Sequence, residues 1–236
     1  MKRIRLAQTA LLIAATFGFP QRALSQNLTL DDFSTGPYAR QLSAGRDVST
    51  QVGSMVGLER QTFFIVCDPG PCGPANPFAQ SGSFEIRAGT DIAPSALIYS
   101  AGYKVYPRLE VHYGAVTPLQ LDLGTNYDRI RVRFDGTDGV INFNIVVFSF
   151  SGYSQAGCNL DASGNPVSID FPIANFRGEA DFTRIDDISF VFQSGTAVGG
   201  NDWAVTRFEA VPTGAPPADL TCPGPATLQR AGQSSR

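Results

Sequence analysis

The chain has 236 residues, 43% of them hydrophobic, and a formal net charge of −3, so it is long enough to bury a substantial core. The first 25 residues hold four basic and no acidic side chains, which leaves −3 − 4 = −7 for the remainder. Because a negative surface repels nucleic acid and anionic membranes, we expect neither as a partner.

The first 25 residues have the pattern of a secretory signal peptide. Lys2, Arg3 and Arg5 precede an apolar run from Leu6 to Phe19, and Ala23-Leu24-Ser25 has the small side chains that precede a cleavage site. The run is shorter than the ~20 residues that span a bilayer, and no later run is long enough to predict a membrane anchor. We therefore expect cleavage near Ser25 and export to the periplasm or the medium.

Short β-branched and aromatic runs, separated by Gly, Pro, Asn and Asp, follow one another from residue 26 to residue 211. Helical periodicity is nearly absent from this part, so an all-β domain is predicted: an antiparallel two-sheet β-sandwich of jelly-roll type. The predicted strands are Leu28–Phe33, Val48–Met55, Gln61–Val66, Ser83–Ala88, Ala96–Ser100, Arg108–Tyr113, Leu119–Leu123, Tyr127–Phe134, Val140–Phe150, Val167–Phe171, Asp187–Phe192 and Trp203–Val211.

Two predicted strands differ in their pattern. Arg108–Tyr113 alternates between polar and apolar residues, which is typical of a strand with one solvated face. Val140–Phe150 has apolar residues at both odd and even positions, which face opposite sides of a strand. This predicts a central strand covered on both faces, with Phe148 in the core. The residues Asp135–Gly139 between strands tolerate positive φ and predict a hairpin turn.

The last part of the chain, residues 212–236, is rich in Pro and Gly and low in hydrophobicity. A segment of this composition buries too little apolar surface to order itself. It is predicted to be a flexible tail.

Three segments resemble parts of uncharacterised exported bacterial β-sandwich proteins of the jelly-roll type, which are distantly similar to carbohydrate-binding modules. They are Leu30-Asp31-Asp32-Phe33-Ser34-Thr35-Gly36, Val56-Gly57-Leu58-Glu59-Arg60, and the stretch from Phe176 to Phe190. The resemblance implies a jelly roll, and it implies carbohydrate binding only by analogy of fold.

Four cysteines are present. Cys67 and Cys72 flank the tight turn Asp-Pro-Gly-Pro, and in an exported protein this spacing indicates a local disulfide rather than a zinc site, because the chain has a single histidine. Cys158 and Cys222 are then left to pair with each other, although three connectivities are formally open.

Catalytic signals are weak. His112 is the only histidine, it lies on a predicted strand, and no Gly-x-Ser-x-Gly motif is present, so a solvated histidine is the preferred interpretation over a general base. A glycoside hydrolase would need two opposed carboxyl groups, but most of the acidic residues lie in turns or at strand ends. We expect no enzyme and no cofactor other than structural calcium, for which Asp31, Asp32 and Asp202 are the candidate ligands.

Tyrosines give the main hint of function, because four of the seven lie between residues 99 and 113. Tyr99, Tyr103 and Tyr106 could stack on sugar rings while Arg108 and Glu110 bond sugar hydroxyls. Alternatively, these rings fill one end of the core.

The sequence thus predicts an exported, non-catalytic binding module, with carbohydrate as the most concrete ligand. A structural or adhesive protein that binds protein partners is the alternative, and a glycoside hydrolase is the third hypothesis. Nothing in the sequence indicates an oligomeric state.

Overall fold

The computed structural model describes residues 26–66, 81–102, 105, 107–161, 166–194 and 200–223. In these residues fifteen strands and two single-turn 3-10 helices, Val56–Leu58 and Ile173–Asn175, form the fold. None of the helices described is long and apolar enough to cross a membrane. The predicted signal peptide lies outside the described residues.

Sheet A contains eight of the strands in the order β15-β11-β8-β14-β6-β5-β2, with β1 paired to β14 beyond the end of β6. All pairings in it are antiparallel except the short one between β11 and β15. Its strands are β1 (Leu28–Asp31), β2 (Tyr38–Leu42), β5 (Gly82–Arg87), β6 (Ala96–Ala101), β8 (Tyr127–Asp138), β11 (Val167–Pro172), β14 (Asn201–Pro212) and β15 (Leu220–Thr221).

Sheet B contains the other seven strands in the order β12-β10-β9-β13-β7-β4-β3, all antiparallel. Its strands are β3 (Gly45–Val52), β4 (Glu59–Val66), β7 (Pro107–Tyr113), β9 (Val140–Ser149), β10 (Gly152–Asp161), β12 (Arg177–Gly178) and β13 (Ile185–Ser194). The predicted antiparallel β-sandwich of jelly-roll type is confirmed.

The core lies between the inward faces of the two sheets, and aromatic rings join the two layers. Phe190 of β13 stacks on Phe208 of β14 with ring centroids 3.7 Å apart, and Phe192 stacks on Trp203 at 4.2 Å. Such rings each bury a large apolar area, so their packing fixes the position of one sheet on the other.

Three predictions about individual segments are wrong. Leu119–Leu123 is not a strand and contributes one isolated bridge, between Leu121 and Ile185. Asp135–Gly139 is not a hairpin turn, because β8 belongs to sheet A and β9 to sheet B. Phe148 is 40% exposed, since β9 is central in its sheet but alternates between buried and outward side chains.

Two of the segments that carry the family resemblance meet in the core. The guanidinium of Arg60 donates to Asp31 Oδ2 at 2.6 Å, and the Tyr113 hydroxyl donates to the same oxygen at 2.6 Å. Arg60 also donates to the Thr35 carbonyl and to Gln51 Oε1, both at 2.7 Å. A buried charge needs such partners, so these motif residues hold β1 and its following turn against β4.

The C-terminal segment, which we define as Pro212–Pro223, is docked on the outer side of sheet A. The Arg131 guanidinium donates to the Pro216 carbonyl at 2.8 Å, Asp170 Oδ2 accepts from the Ala218 amide at 2.8 Å, and β15 pairs with β11. The prediction of a flexible tail is therefore wrong for residues 212–223. Residues 224–236 lie outside the described part of the chain.

Candidate functional site

The outer surface of sheet B carries polar and aromatic side chains on several adjacent strands. In β7 the residues alternate as predicted, with Arg108, Glu110 and His112 directed outward and the intervening side chains buried. We call this outer surface the polar face. Its main side chains are Phe63, Arg108, Glu110, His112, Asn142, Asn144, Phe148, Tyr153, Gln155, Asn159, Asp187 and Gln193.

A chain of ionic contacts crosses the centre of the polar face. Glu110 accepts from Arg108 Nε at 2.7 Å and contacts His112 Nε2 at 3.0 Å, while the other ring nitrogen of His112 lies 3.3 Å from Asp187 Oδ2. The histidine and its two carboxylate partners are 15–18% exposed in their side chains. These contacts join two basic and two acidic side chains into one connected group.

The carboxylates on either side set the protonation of His112. Burial alone would lower the pKa of His112, but the hydrogen bonds and charges of Asp187 and Glu110 outweigh it and raise the pKa to about 9. The hydrogen bond from His112 holds the pKa of Glu110 below its ordinary value, against the opposing effect of burial. At neutral pH the group of Arg108, Glu110, His112 and Asp187 therefore has two positive and two negative charges.

Side-chain amides cover the part of the polar face next to β13. Asn144 donates to Asn142 Oδ1 at 2.7 Å, and Asn142 donates to Asn159 Oδ1 at 3.0 Å. Gln193 lies opposite both Asn142 and Arg108 in the sheet register. Gln155 and Gln193 make no side-chain hydrogen bond within the part of the chain that the structure describes, so their amides can serve a ligand.

Exposed aromatic rings stand at one end of the polar face, on the hairpin between β9 and β10. Phe148 and Tyr153 lie opposite each other in the register, with ring centroids 6.1 Å apart and exposures of 40% and 56%. Phe150, in the turn between the two strands, is 95% exposed. Exposed rings next to one another in this way usually mark a contact surface.

Long side chains cover the middle of the polar face. Ser189 and Val191 point outward from β13 but are only 2% and 7% exposed, because the longer side chains of β7 and β9 flank them. An open sheet surface with exposed polar groups along several strands suits an extended ligand better than a small enclosed one.

The predicted tyrosine site is only partly present. Tyr99 is fully buried, stacks on Trp203 with centroids 4.7 Å apart, and donates its hydroxyl to the Pro107 carbonyl at 2.8 Å. Its predicted contact with a ligand is wrong, and the alternative that it fills the core is correct. Tyr103 and Tyr106 lie outside the described residues, whereas Arg108 and Glu110 do lie on the polar face.

The three aspartates considered for calcium are held apart. Asp31 is paired with Arg60, and Asp32 accepts a hydrogen bond from the backbone amide two residues later. Asp202 lies six positions along β14 from Phe208, the register partner of Asp31, a separation of roughly 20 Å. Among the described residues no group of three or more His, Cys, Asp and Glu side chains has the arrangement of a metal site.

Two of the four cysteines are brought together. Cys158 on β10 and Cys222 after β15 line one small cavity, and both carry thiols in the structure. Cys67 and Cys72 lie outside the described residues, so their predicted disulfide stays a prediction.

No protein-family model and no curated protein sequence matches this chain. Solved structures resemble it, among them a family 11 carbohydrate-binding module from Clostridium thermocellum in complex with a β-1,3-1,4-mixed-linked tetrasaccharide. That match has 16% identity and a TM-score of 0.39, and it covers 79% of this chain and 95% of the module.

Enzymes also appear among the similar structures. An agarase matches with 12% identity and a TM-score of 0.39 over 58% of this chain and 23% of the agarase. An arabinose-bound α-L-arabinofuranosidase matches with 12% identity and a TM-score of 0.40 over 80% of this chain and 27% of the enzyme. The chain thus spans about a quarter of the length of these enzymes. At such values the likeness concerns the fold alone.

Proposed function

We propose that this protein is a non-catalytic binding module whose polar face binds an extended, uncharged glycan chain. The observation that carries the proposal is the exposed pair Phe148 and Tyr153 at the end of a row of amide and carboxylate side chains. A sugar unit has an apolar face of C–H groups and a rim of hydroxyls, so it needs a ring to stack on and polar groups beside that ring.

The polar groups of this face offer both hydrogen-bond donors and hydrogen-bond acceptors. Gln155 and Gln193 each offer two N–H donors and one acceptor oxygen. The side-chain NH2 of Asn159, whose oxygen accepts from Asn142, and the guanidinium of Arg108, whose side chain is 44% exposed, add further donors. Sugar hydroxyls both donate and accept, so such a mixed surface matches them.

The charges of the polar face favour a neutral ligand. The positive charges of Arg108 and His112 are already matched by Glu110 and Asp187, to which they are hydrogen-bonded. A sulfate or carboxylate on the ligand would have to compete with these internal partners. An uncharged polysaccharide has no such requirement.

Both ring nitrogens of His112 are in contact with carboxylates, and the raised pKa keeps the imidazole protonated at neutral pH. A protonated imidazole cannot accept a proton from a nucleophile or a water molecule. This supports the non-catalytic part of the proposal.

The test is titration of the full chain with a panel of soluble polysaccharides, neutral and acidic, by calorimetry and by retardation in polysaccharide-containing gels. We expect binding to at least one neutral polysaccharide and no release of new reducing ends during prolonged incubation. Tyr153→Ala should weaken the binding about fivefold, because a stacked ring contributes on the order of 1 kcal/mol.

Matched variants make the test specific to the polar face. Gln155→Ala should weaken binding, because its side-chain amide is available to the ligand, whereas Gln41→Ala, which removes an amide from exposed strand β2 of sheet A, should not. Equal effects of the two would contradict the assignment to sheet B. Binding confined to acidic polysaccharides, or self-association without binding to any glycan, would contradict the proposed ligand, and the second result would favour a structural or adhesive role.

A further inference from the structure

Cys158 and Cys222 approach each other from different sheets. Cys158 belongs to the inward-facing set of β10, with buried Ala156 two residues before it and buried Leu160 two residues after it. Cys222 follows the two-residue strand β15 of sheet A. Both line a cavity of about 140 Å³ whose wall includes Ile169.

The backbone of Cys222 is fixed by two hydrogen bonds. Its amide donates to the Asp170 carbonyl at 2.8 Å, and its carbonyl accepts from Asn175 Nδ2 at 3.0 Å. Cys222 is only 2% exposed. Because these contacts hold its backbone on both sides, its side chain is kept directed toward β10.

The two thiols interact directly. A hydrogen bond between them, together with burial, raises the pKa of Cys158 above that of an ordinary thiol. Because both side chains also line the same small cavity, they are placed where a bond between them can form.

The remaining anchors of the C-terminal segment are polar and local. β15 contributes two residues to sheet A, and Arg129 and Arg131 donate to the carbonyls of Ala215 and Pro216. A two-residue strand is weak by itself, and exposed hydrogen bonds of this kind open readily. A covalent bond at Cys222 would keep the segment in place when they open.

We propose that Cys158 and Cys222 form a disulfide bond that fastens the C-terminal segment to β10 and joins the two sheets at one edge of the sandwich. The two thiols together lose two protons and two electrons. A disulfide of an oxidising partner, such as a thiol oxidase or oxidised glutathione, takes up these electrons and is released as two thiols. The predicted export of the chain would bring it to a compartment where such oxidants act.

The bond can be identified by peptide mapping, because trypsin separates the cysteines cleanly. Cys158 falls in the peptide Phe134–Arg177, Cys222 in Phe208–Arg230, and the other two cysteines together in Gln61–Arg87. We expect the first two peptides to be joined in protein that has been oxidised with glutathione and alkylated, and to separate on reduction. Recovery of Cys222 as an alkylated thiol, or joined to Gln61–Arg87, would overturn the proposal.

A stability measurement tests the fastening itself. The bond would close a loop of 222 − 158 = 64 positions, so the oxidised protein should melt about 10 °C above the reduced one. Cys158→Ser and Cys222→Ser should each remove most of this difference and leave only the contribution of a Cys67–Cys72 bond, and the double variant should be no less stable than the less stable single variant.

The matched control replaces both Cys67 and Cys72 by Ser and should retain the redox-dependent difference in Tm. If the control loses the difference while Cys222→Ser keeps it, the stabilising bond lies elsewhere and the proposal is wrong. Neither outcome depends on glycan binding, so the result is independent of the proposed function.

Discussion

The rings of Phe190 and Phe208 lie parallel, with an interplanar angle of 3° and centroids 3.7 Å apart, and they join sheet B to sheet A. Both side chains are fully buried. By contrast, Phe148 lies on the solvated side of the same sheet as Phe190. Phenylalanines of identical size thus occupy opposite faces of neighbouring strands.

This contrast gives a stability prediction. Phe190→Ala should lower the free energy of unfolding by about 3–5 kcal/mol, because it removes buried contacts and leaves a cavity. Phe148→Ala should cost about 1 kcal/mol or less, because its ring is already partly solvated. Urea unfolding of both variants measures the difference. Equal losses would show that β9 is covered on both faces.

The buried ion pair of Arg60 and Asp31 predicts that removal of the carboxylate will strongly destabilise the fold. Asp31→Ala would leave the guanidinium of Arg60 without its charged partner in a site that is 0% exposed, at a cost of roughly 3–5 kcal/mol. Arg40→Ala, which breaks the exposed pair with Asp47, serves as the control and should cost at most about 1 kcal/mol. A small effect of Asp31→Ala in urea unfolding would mean that water reaches Arg60.

The contacts of His112 predict a pH dependence of stability. Its pKa is raised from 6.5 to about 9 in the folded protein, so its contribution is complete below about pH 6.5 and is lost as the pH rises through 9. The loss is of the order of 3 kcal/mol at most. Urea unfolding at pH 6 and pH 9.5 should show a smaller fall in His112→Gln than in the wild type.

Glu110 affects the pH dependence of stability in the opposite direction, because its contribution is lost at acid pH. Its pKa is lowered by the hydrogen bond from His112, so its contribution is present above the ordinary value of 4.5 and is lost as the pH falls further.

For His112 itself, a wild-type stability that did not change between pH 6 and pH 9.5 would contradict its charged contacts.

The hydrogen bonds of Asp170 predict that this residue holds the C-terminal segment on sheet A. This buried carboxylate accepts two hydrogen bonds from Arg131, at 2.7 and 3.0 Å, and one from the Ala218 amide. In reduced protein, Asp170→Ala should speed amide hydrogen exchange in residues 218–222 by about ten- to a hundredfold, since a hydrogen bond to a charged group contributes about 1.5–3 kcal/mol.

Asp219→Ala is the control for this measurement, because Asp219 is exposed and accepts one hydrogen bond, from the Ser168 amide. It should accelerate exchange less than Asp170→Ala does. The reverse order would show that the segment is held mainly through its exposed side.

Local alternation in the sequence was sufficient to place Arg108 and Glu110 on the solvated side of a strand, because the two faces of a strand follow directly from a period of two. The same rule places Tyr99 with Leu97 and Ala101 on the inward face of β6. The alternation in β6 therefore indicates a buried Tyr99, whereas the clustering of tyrosines favours a ligand-binding role for it.

Other features depend on contacts between distant parts of the chain. Asp187 reaches His112 from 75 positions away, and no local pattern indicates which strands become neighbours. The turn residues of Asp135–Gly139 are equally compatible with a hairpin and with a crossing between sheets. In Val140–Phe150, Asn142 and Asn144 mark the solvated face, but the apolar Val146 and Phe148 on that face concealed it.

The position of β14 has a consequence for how the chain folds. This strand lies between β8 and β6 and also pairs with β1, where Leu28 meets Ala210 across 182 positions of sequence. The middle of sheet A therefore has no partner until residues 201–212 have been synthesised. Folding of the sandwich must wait for almost the whole chain, and non-local pairing of this kind makes it slow, in the range of milliseconds to seconds that is typical of all-β proteins.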